Sequence, residues 1–222
     1  MPRWDYGKRL RSGKLPQPDL RLYVGIYLQI RPRRPIPEMQ GKTGYAWRSA
    51  EADRVRRLLW LSQTAYIDKI ITRAGTSTIR PPKVPMRHTE LLLYEGTAEP
   101  HSITRYQQKT GSILYAAVIT RPDIAFAASR LVRFNTNPGP EHHKAADQVL
   151  HYLYNTRKLA LRLGGADDFV VASDASFADN SLDRKSSQAY TMKLFGGLVG
   201  WRANKQDIVT TSITEAELLT LA

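Results

Sequence analysis

After Thr156 the apolar residues of this chain change their spacing. Upstream, three segments repeat hydrophobic side chains every three to four positions, the period of a helix with one buried face. Downstream the apolar residues alternate, the period of a strand with one covered face. A chain that carries both periods in separate blocks is expected to fold as α+β, with a helical unit followed by a sheet.

The helical block reads in order. Ile103, Tyr106, Ile113, Leu114, Ala117 and Val118 mark a helix beginning near Ser102, with Gly111 inside it. A second starts at Thr120-Arg121-Pro122-Asp123, where Thr120 can cap and Pro122 suits a first turn. A third opens after Asn137-Pro138-Gly139-Pro140 and carries Val149, Leu150 and Leu153. Before them, Leu22 to Ile30 and Arg57 to Gln63 read as strands, with a breaker at Arg31 to Pro37 and a weakly patterned stretch from Glu38 to Asp53. A helix follows from Thr64 to Arg73, with Gly75 as its stop.

In the later block, Leu159 to Leu163 and Phe169 to Ser173 flank a Gly-Gly-containing connection and suggest a hairpin. Gln188 to Phe195 and Leu198 to Ala203 flank Gly196-Gly197 and suggest another. Ile208 to Thr211 continues the strand pattern, and Ser212-Ile213-Thr214-Glu215 is a capping box that opens a last helix.

Composition excludes several classes of function. The 222 residues hold no cysteine, which removes disulfides, thiolate metal sites and cysteine nucleophiles. No apolar run approaches the roughly 18 residues of a membrane span, and no apolar segment follows the basic N-terminus as a signal peptide would require. An intracellular place, cytoplasmic or nuclear, and no membrane partner are therefore expected. The net charge of +13 is uneven: residues 1 to 60 carry 14 Lys and Arg against 5 Asp and Glu, whereas residues 166 to 222 carry 8 acidic against 5 basic residues. A basic arm beside a slightly acidic unit suits a protein that holds polyanions with one part and metal ions with another, although basic tails also serve simply to solubilise.

The residues that can carry chemistry sit in the last block. Asp174, within Ser173-Asp174-Ala175-Ser176, leaves a strand, and Glu217 lies in the first turns of the last helix. Two hard carboxylates on a strand and a helix packed on the same sheet suit Mg²⁺, which takes one or two carboxylates and completes its shell with water and phosphate oxygens. The plainer reading, a strand-end turn residue and a solvated helix position, stands beside it. His143, Asp147 and His151 share one helix face but read as a solvated polar face. Arg31, Arg33 and Arg34 with Trp47, Arg48, Arg54, Arg56 and Arg57 form either a nucleic-acid patch or a solvated face. Tyr106, Tyr115, Tyr152 and Tyr154 read as helix packing.

Several stretches occur together in a fixed order: Leu59-Trp60-Leu61-Ser62-Gln63 with Tyr66-Ile67-Asp68-Lys69, Thr120-Arg121-Pro122-Asp123-Ile124-Ala125-Phe126-Ala127, Asn137-Pro138-Gly139-Pro140-Glu141-His142, Ser173-Asp174-Ala175, Asp183-Arg184-Lys185-Ser186, Gly200-Trp201-Arg202, Lys205-Gln206 and Thr214-Glu215-Ala216-Glu217. From about Arg57 to Ala222 the chain resembles the C-terminal reverse transcriptase and ribonuclease H region of copia-type retrotransposon polyproteins. Residues 1–56 read from charge and pattern as a basic arm, partly irregular with one strand; the resemblance implies the C-terminal part of the reverse transcriptase over 57–157 and the N-terminal half of a ribonuclease H-like domain over 158–222. The implied fold is α+β: short strands and a three-helix unit, then a truncated mixed sheet with one helix.

The resemblance further implies that Asp174 and Glu217 are metal-binding carboxylates for Mg²⁺ or Mn²⁺, and that RNA, DNA or an RNA/DNA hybrid is the partner. Glu217 is preferred over Glu215 because the Glu-Leu step fits the family motif. Arg184, Lys185, Trp201, Arg202, Lys205 and Gln206 match family positions, and their side-chain types suit phosphate contact. The polymerase signature Tyr-x-Asp-Asp is absent, since Asp167-Asp168 has Gly165 in the tyrosine's place. The later strands and carboxylates of ribonuclease H lie beyond Ala222. The chain alone is therefore expected to be inactive, with the strand carrying Asp174 left as an open edge that favours self-association.

Overall fold

The structure is a computed structural model that describes residues 30–32, 49–75, 82–87, 91–179 and 183–221. Three short strands, β1 (Ile30–Pro32), β2 (Ser49–Asp53) and β3 (Leu58–Ser62), precede helix α1 (Thr64–Ala74). Helix α2 (Pro100–Ile119), a 3-10 turn (Pro122–Ile124), α3 (Ala125–Val132) and α4 (Pro140–Asn155) form the helical unit. Strands β4 (Leu159–Gly164), β5 (Phe169–Ser176), β6 (Ser187–Leu194) and β7 (Gly197–Lys205) and helix α5 (Ile213–Leu221) complete the α+β fold.

Two antiparallel sheets result, one ordered β1-β4-β3-β2 and the other β5-β6-β7. The hydrophobic core lies among the helices. Ile67 and Ile70 from α1, Tyr106 and Ile113 from α2, Leu131 from α3 and Val149, Leu150 and Leu153 from α4 are all buried together, at the helical spacing visible in the sequence. Gly75 ends α1 in the left-handed conformation at φ 63°, and its N–H bonds the Ile71 carbonyl.

Several local expectations give way to tertiary structure. Strand β4 does not form a hairpin with β5; it lies between β3 and β1, pairing Leu161 with both Leu61 and Ile30. Ala160 and Leu161 are buried, so this strand belongs inside a sheet, and Gly164 and Gly165 at φ 88° and 98° lead the chain out of it. Pro32 closes the short strand β1 rather than breaking it, which an edge position permits. The stretch around Ser49 to Asp53, without clear pattern in sequence, pairs with β3 through Ser49↔Ser62 and Asp53↔Leu58. Most of the Leu22–Ile30 stretch and residues 1–20 lie outside the described residues.

Thr120 does not cap the following turn; it closes α2, its backbone N–H bonding the Ala116 carbonyl, and its hydroxyl donates to the buried Gln63 Oε1 at 2.6 Å. Asp123 instead forms a two-pronged ion pair with Arg121 in this turn, bringing α3 in after the 3-10 segment. The β6–β7 hairpin is present, but its turn is Phe195-Gly196, at φ 51° and 72°, and Gly197 already pairs with Leu194. Gly197 is fixed by packing: a Cβ there would lie 2.5 Å from the Leu163 Cα. Residues 208–211 form no strand; this stretch leads into α5, whose first turn is capped by Ser212 Oγ accepting from the Glu215 N–H at 3.1 Å.

Candidate metal and nucleic-acid sites

Asp174 is the sixth residue of β5, in register with Ala189 of β6, which in turn faces Ala203 of β7. It is half-buried, as is Glu217 on α5. Helix α5 packs against β5 and β6, so the two carboxylates stand on neighbouring elements. Glu215 is committed elsewhere: it accepts from the Thr211 N–H at 2.7 Å and the Thr211 hydroxyl at 2.9 Å, and these bonds hold its carboxyl below the usual range. That leaves Glu217 as the helix carboxylate available to a ligand.

Among the described residues no three His, Asp, Glu or Cys side chains converge as a metal cluster. Two carboxylates fit a single Mg²⁺ or Mn²⁺ that keeps water and phosphate oxygens in its remaining positions. They do not supply a ligand set for two ions. The His143, Asp147 and His151 face is engaged in helix packing: His143 Nε2 meets Ser102 Oγ at 3.0 Å, and Asp147 accepts from Lys109 Nζ at 2.6 Å.

The residues matched to nucleic-acid contact separate into groups. Arg184 and Arg202 are exposed. Lys185 Nζ donates to the Asp207 carbonyl, and Lys205 Nζ to the Asp183 carboxylate. The Trp201 indole N–H donates to the Ala117 carbonyl at 2.8 Å, tying β7 to the end of α2. Gln206 is buried; its backbone N–H donates to the Ser186 carbonyl and its side-chain amide to the Ala216 carbonyl of α5, both at 2.8 Å. Trp201 and Gln206 are thus joints of the fold. Arg54, Arg56 and Arg57 crowd the exposed β2–β3 turn, with Arg56 beside Asp53, whereas Arg33, Arg34, Trp47 and Arg48 lie outside the described residues.

A basic groove between α1 and α2 escaped the sequence reading. Tyr66, Lys69 and Arg73 of α1 face Gln107, Gln108, Gly111 and Tyr115 of α2 across a cleft of about 580 Å³. A second cleft of about 280 Å³ continues past Arg73 to Arg105 and Lys109. The Tyr66 and Tyr115 rings touch, with centroids 4.8 Å apart, and Tyr66 donates its hydroxyl to the Ser112 carbonyl. Burial pushes the Tyr66 phenol up, so it stays a donor. Tyr115, read from sequence as helix packing, is 37% exposed. The available signal was the register: Tyr66, Lys69 and Arg73 fall on one face of α1, and Gln107, Gly111 and Tyr115 on one face of α2.

A polyprotein named retrovirus-related Pol polyprotein from transposon TNT 1-94, of Nicotiana tabacum, is 36% identical over 174 residues, covering 75% of this chain and 13% of that protein. Secreted RxLR effector protein 161 of Plasmopara viticola is 40% identical over 119 residues, covering 53% of this chain and 84% of that protein. Retrotransposon Pol polyproteins are thus similar to this chain over about three quarters of its length. The Pol polyprotein from transposon RE1 of Arabidopsis thaliana is 36% identical over 177 residues, 78% of this chain. The chain spans only 13% and 12% of the lengths of these two Pol polyproteins. No model of a known protein family matches it, and no solved structure does. No helix among the described residues is long and apolar enough to cross a membrane.

Proposed function

We propose that this Pol segment is a nucleic-acid-holding part of a copia-type reverse transcriptase and ribonuclease H region, and that alone it neither polymerises nor hydrolyses. The α1–α2 groove carries the reading. Lys69, Arg73 and Arg105 border it, the exposed Tyr115 ring offers a stacking face, and Gly111 has open space where a Cβ would stand. Cations tracking a backbone beside an aromatic face are what a nucleic-acid strand requires.

In the ribonuclease H-like part, Asp174 and Glu217 are the residues that would hold Mg²⁺. The bound ion would activate the attacking water or stabilise the leaving oxygen in phosphodiester hydrolysis. The chain's own contribution is placement: β5 fixes Asp174, α5 fixes Glu217, and the Glu215 cap anchors the start of that helix. Among the described residues no third carboxylate joins them as a cluster, so the pair would hold at most a single ion.

The reading is tested with a labelled RNA/DNA hybrid, Mg²⁺ or Mn²⁺, and the wild type beside Asp174→Asn and Glu217→Gln. Salt-sensitive binding without cleavage is expected for all three. Cleavage by the wild type that is lost in both variants would overturn the claim of inactivity. Absence of binding at low salt would overturn the nucleic-acid reading itself.

A further inference from the structure

The side chain of Gln206 suits phosphate contact by type, yet it is only 3% exposed and cannot meet a phosphate where it stands. Its Nε2 reaches the Ala216 carbonyl at 2.8 Å and approaches Thr220 Oγ1 at 3.4 Å, both on α5. Its backbone N–H bonds the Ser186 carbonyl at 2.8 Å. A single residue just past β7 therefore grips the start of β6 with its backbone and the middle of α5 with its side chain. Ala216, whose carbonyl it holds, is fully buried and immediately precedes Glu217.

The same anchor extends to the strand that bears Asp174. Ser186 is completely buried; its Oγ accepts from the Ala178 N–H at 3.1 Å, two residues past β5, and meets Thr210 Oγ1 at 3.1 Å. The chain leaving β5, the start of β6, the end of β7 and the approach to α5 thus meet in one buried polar knot. Gln206 retains an Oε1 that is buried without a partner among the described residues. Such an orphan acceptor opposes burial, so the amide is not kept for complete pairing; its Nε2 is the half that makes a connection.

We propose that Gln206 is a positioning residue that sets Glu217 against Asp174. This rests on the reading of those two carboxylates as a ligand pair. The amide fixes the rotation and height of α5 on the sheet, and Ser186 carries the same constraint to the end of β5. Outer-shell groups of this kind, which orient a ligand without touching the ion, commonly change metal affinity by about 10- to 100-fold when removed.

The absence of cysteine allows a direct measurement. Nitroxide labels on an Asp174→Cys, Glu217→Cys chain report the distance between the two positions by pulsed electron paramagnetic resonance. One narrow distance is expected with Gln206 present, and a broadened or displaced distribution with Gln206→Met, which keeps the size and loses the donor. If Gln206→Met fails to fold, Gln206→Asn, whose shorter arm cannot span to Ala216, takes its place. A distribution unchanged by either substitution would overturn the proposal.

In the unlabelled chain, Mn²⁺ affinity read by its own resonance should weaken about 10-fold in Gln206→Met. Wild-type affinity in Gln206→Met would overturn the positioning role. Mn²⁺ binding that is absent from the wild type, or indifferent to Asp174→Asn, would remove the ligand-pair reading, while the label distance would still decide what Gln206 does.

Discussion

The Arg121 guanidinium grips the Asp123 carboxylate two residues away through Nε at 2.9 Å and Nη2 at 2.7 Å, with both side chains 1% exposed. Burial alone would push the guanidinium down, but Asp123 together with Tyr152 reverses this and holds it charged. Tyr152 donates its hydroxyl to the same carboxylate at 2.9 Å, and Arg121 reaches the Thr156 hydroxyl and carbonyl, so the pair stitches the turn after α2 to the end of α4. Asp123→Asn leaves the buried guanidinium without its counter-charge. The expected loss is about 3–5 kcal/mol of unfolding free energy, read from urea denaturation. A loss below about 1 kcal/mol would contradict this account.

His142 is buried as a neutral acceptor. Its Nδ1 accepts from the Gly139 N–H at 2.8 Å, its Nε2–H donates to the Leu92 carbonyl at 2.8 Å, and its ring stacks on Phe134 at 4.0 Å. Burial holds its pKa below the ordinary 6.5, against weaker opposing pulls from the Leu92 carbonyl and Glu141. A depressed histidine leaves its contribution intact above 6.5 and loses it as pH falls from there through the folded value, because the unfolded chain binds the proton first. The urea midpoint should therefore drop on going from pH 7.5 to 5.5. The drop should be smaller in His142→Gln, with the remainder owed partly to His143, which is also depressed by burial and by Lys109.

Gly164 ends β4 at φ 88°, and a Cβ there would lie 2.0 Å from the Arg57 carbonyl oxygen. Gly164→Ala must strain the backbone and push β3 away. A cost of roughly 1–3 kcal/mol is expected from the strain alone, seen as a lower melting temperature. An unchanged melting temperature would show that the two strands do not approach so closely.

Lys69 and Arg73 border the proposed nucleic-acid groove. Each phosphate-neutralising cation contributes about 0.9 to the slope of log affinity against log salt on duplex DNA. Lys69→Ala with Arg73→Ala should flatten that slope and weaken binding irrespective of sequence. Equal slopes for variant and wild type, measured by fluorescence anisotropy, would place the nucleic acid elsewhere.

Strand β5 is an edge of its sheet among the described residues, and it exposes Phe169, Val170 and Val171 at 61%, 43% and 52% without a Lys or Pro to guard it. Concentration-dependent self-association is expected in sedimentation velocity. Val170→Lys should suppress it by placing a charge on the edge. Association unaffected by that substitution would exclude this edge as its seat.

Helix ends and hairpins were legible wherever the deciding groups are close in sequence. Gly75 stops α1 because its own φ and its bond to Ile71 do so, and the Ser212 cap acts three residues away on Glu215. The placement of Asp174 on a strand and of Glu217 on the helix that packs against it was legible. The β4–β5 hairpin was misread because alternation reports that a strand has a buried face and says nothing about which sheet covers it. Trp201 and Gln206 were assigned by side-chain type, but an indole N–H or an amide donates to a buried carbonyl as readily as to a phosphate. Tyr115 was legible as a helix-packing residue, and its ring does meet Tyr66 of α1, but the groove beside that contact depends on both helices at once.

By itself, the sequence determined the succession of helices and strands, the absence of thiol chemistry and the motif order of a retrotransposon polyprotein. These are properties of neighbouring residues and composition. Tertiary structure alone decided that β4 leaves its sequence neighbour for β3 and β1, that Gln206 clasps α5, and that α1 and α2 bring their cations and tyrosines into one groove. Each of those depends on a partner remote in sequence, and such partners are chosen by burial and hydrogen-bond satisfaction across the whole packed chain.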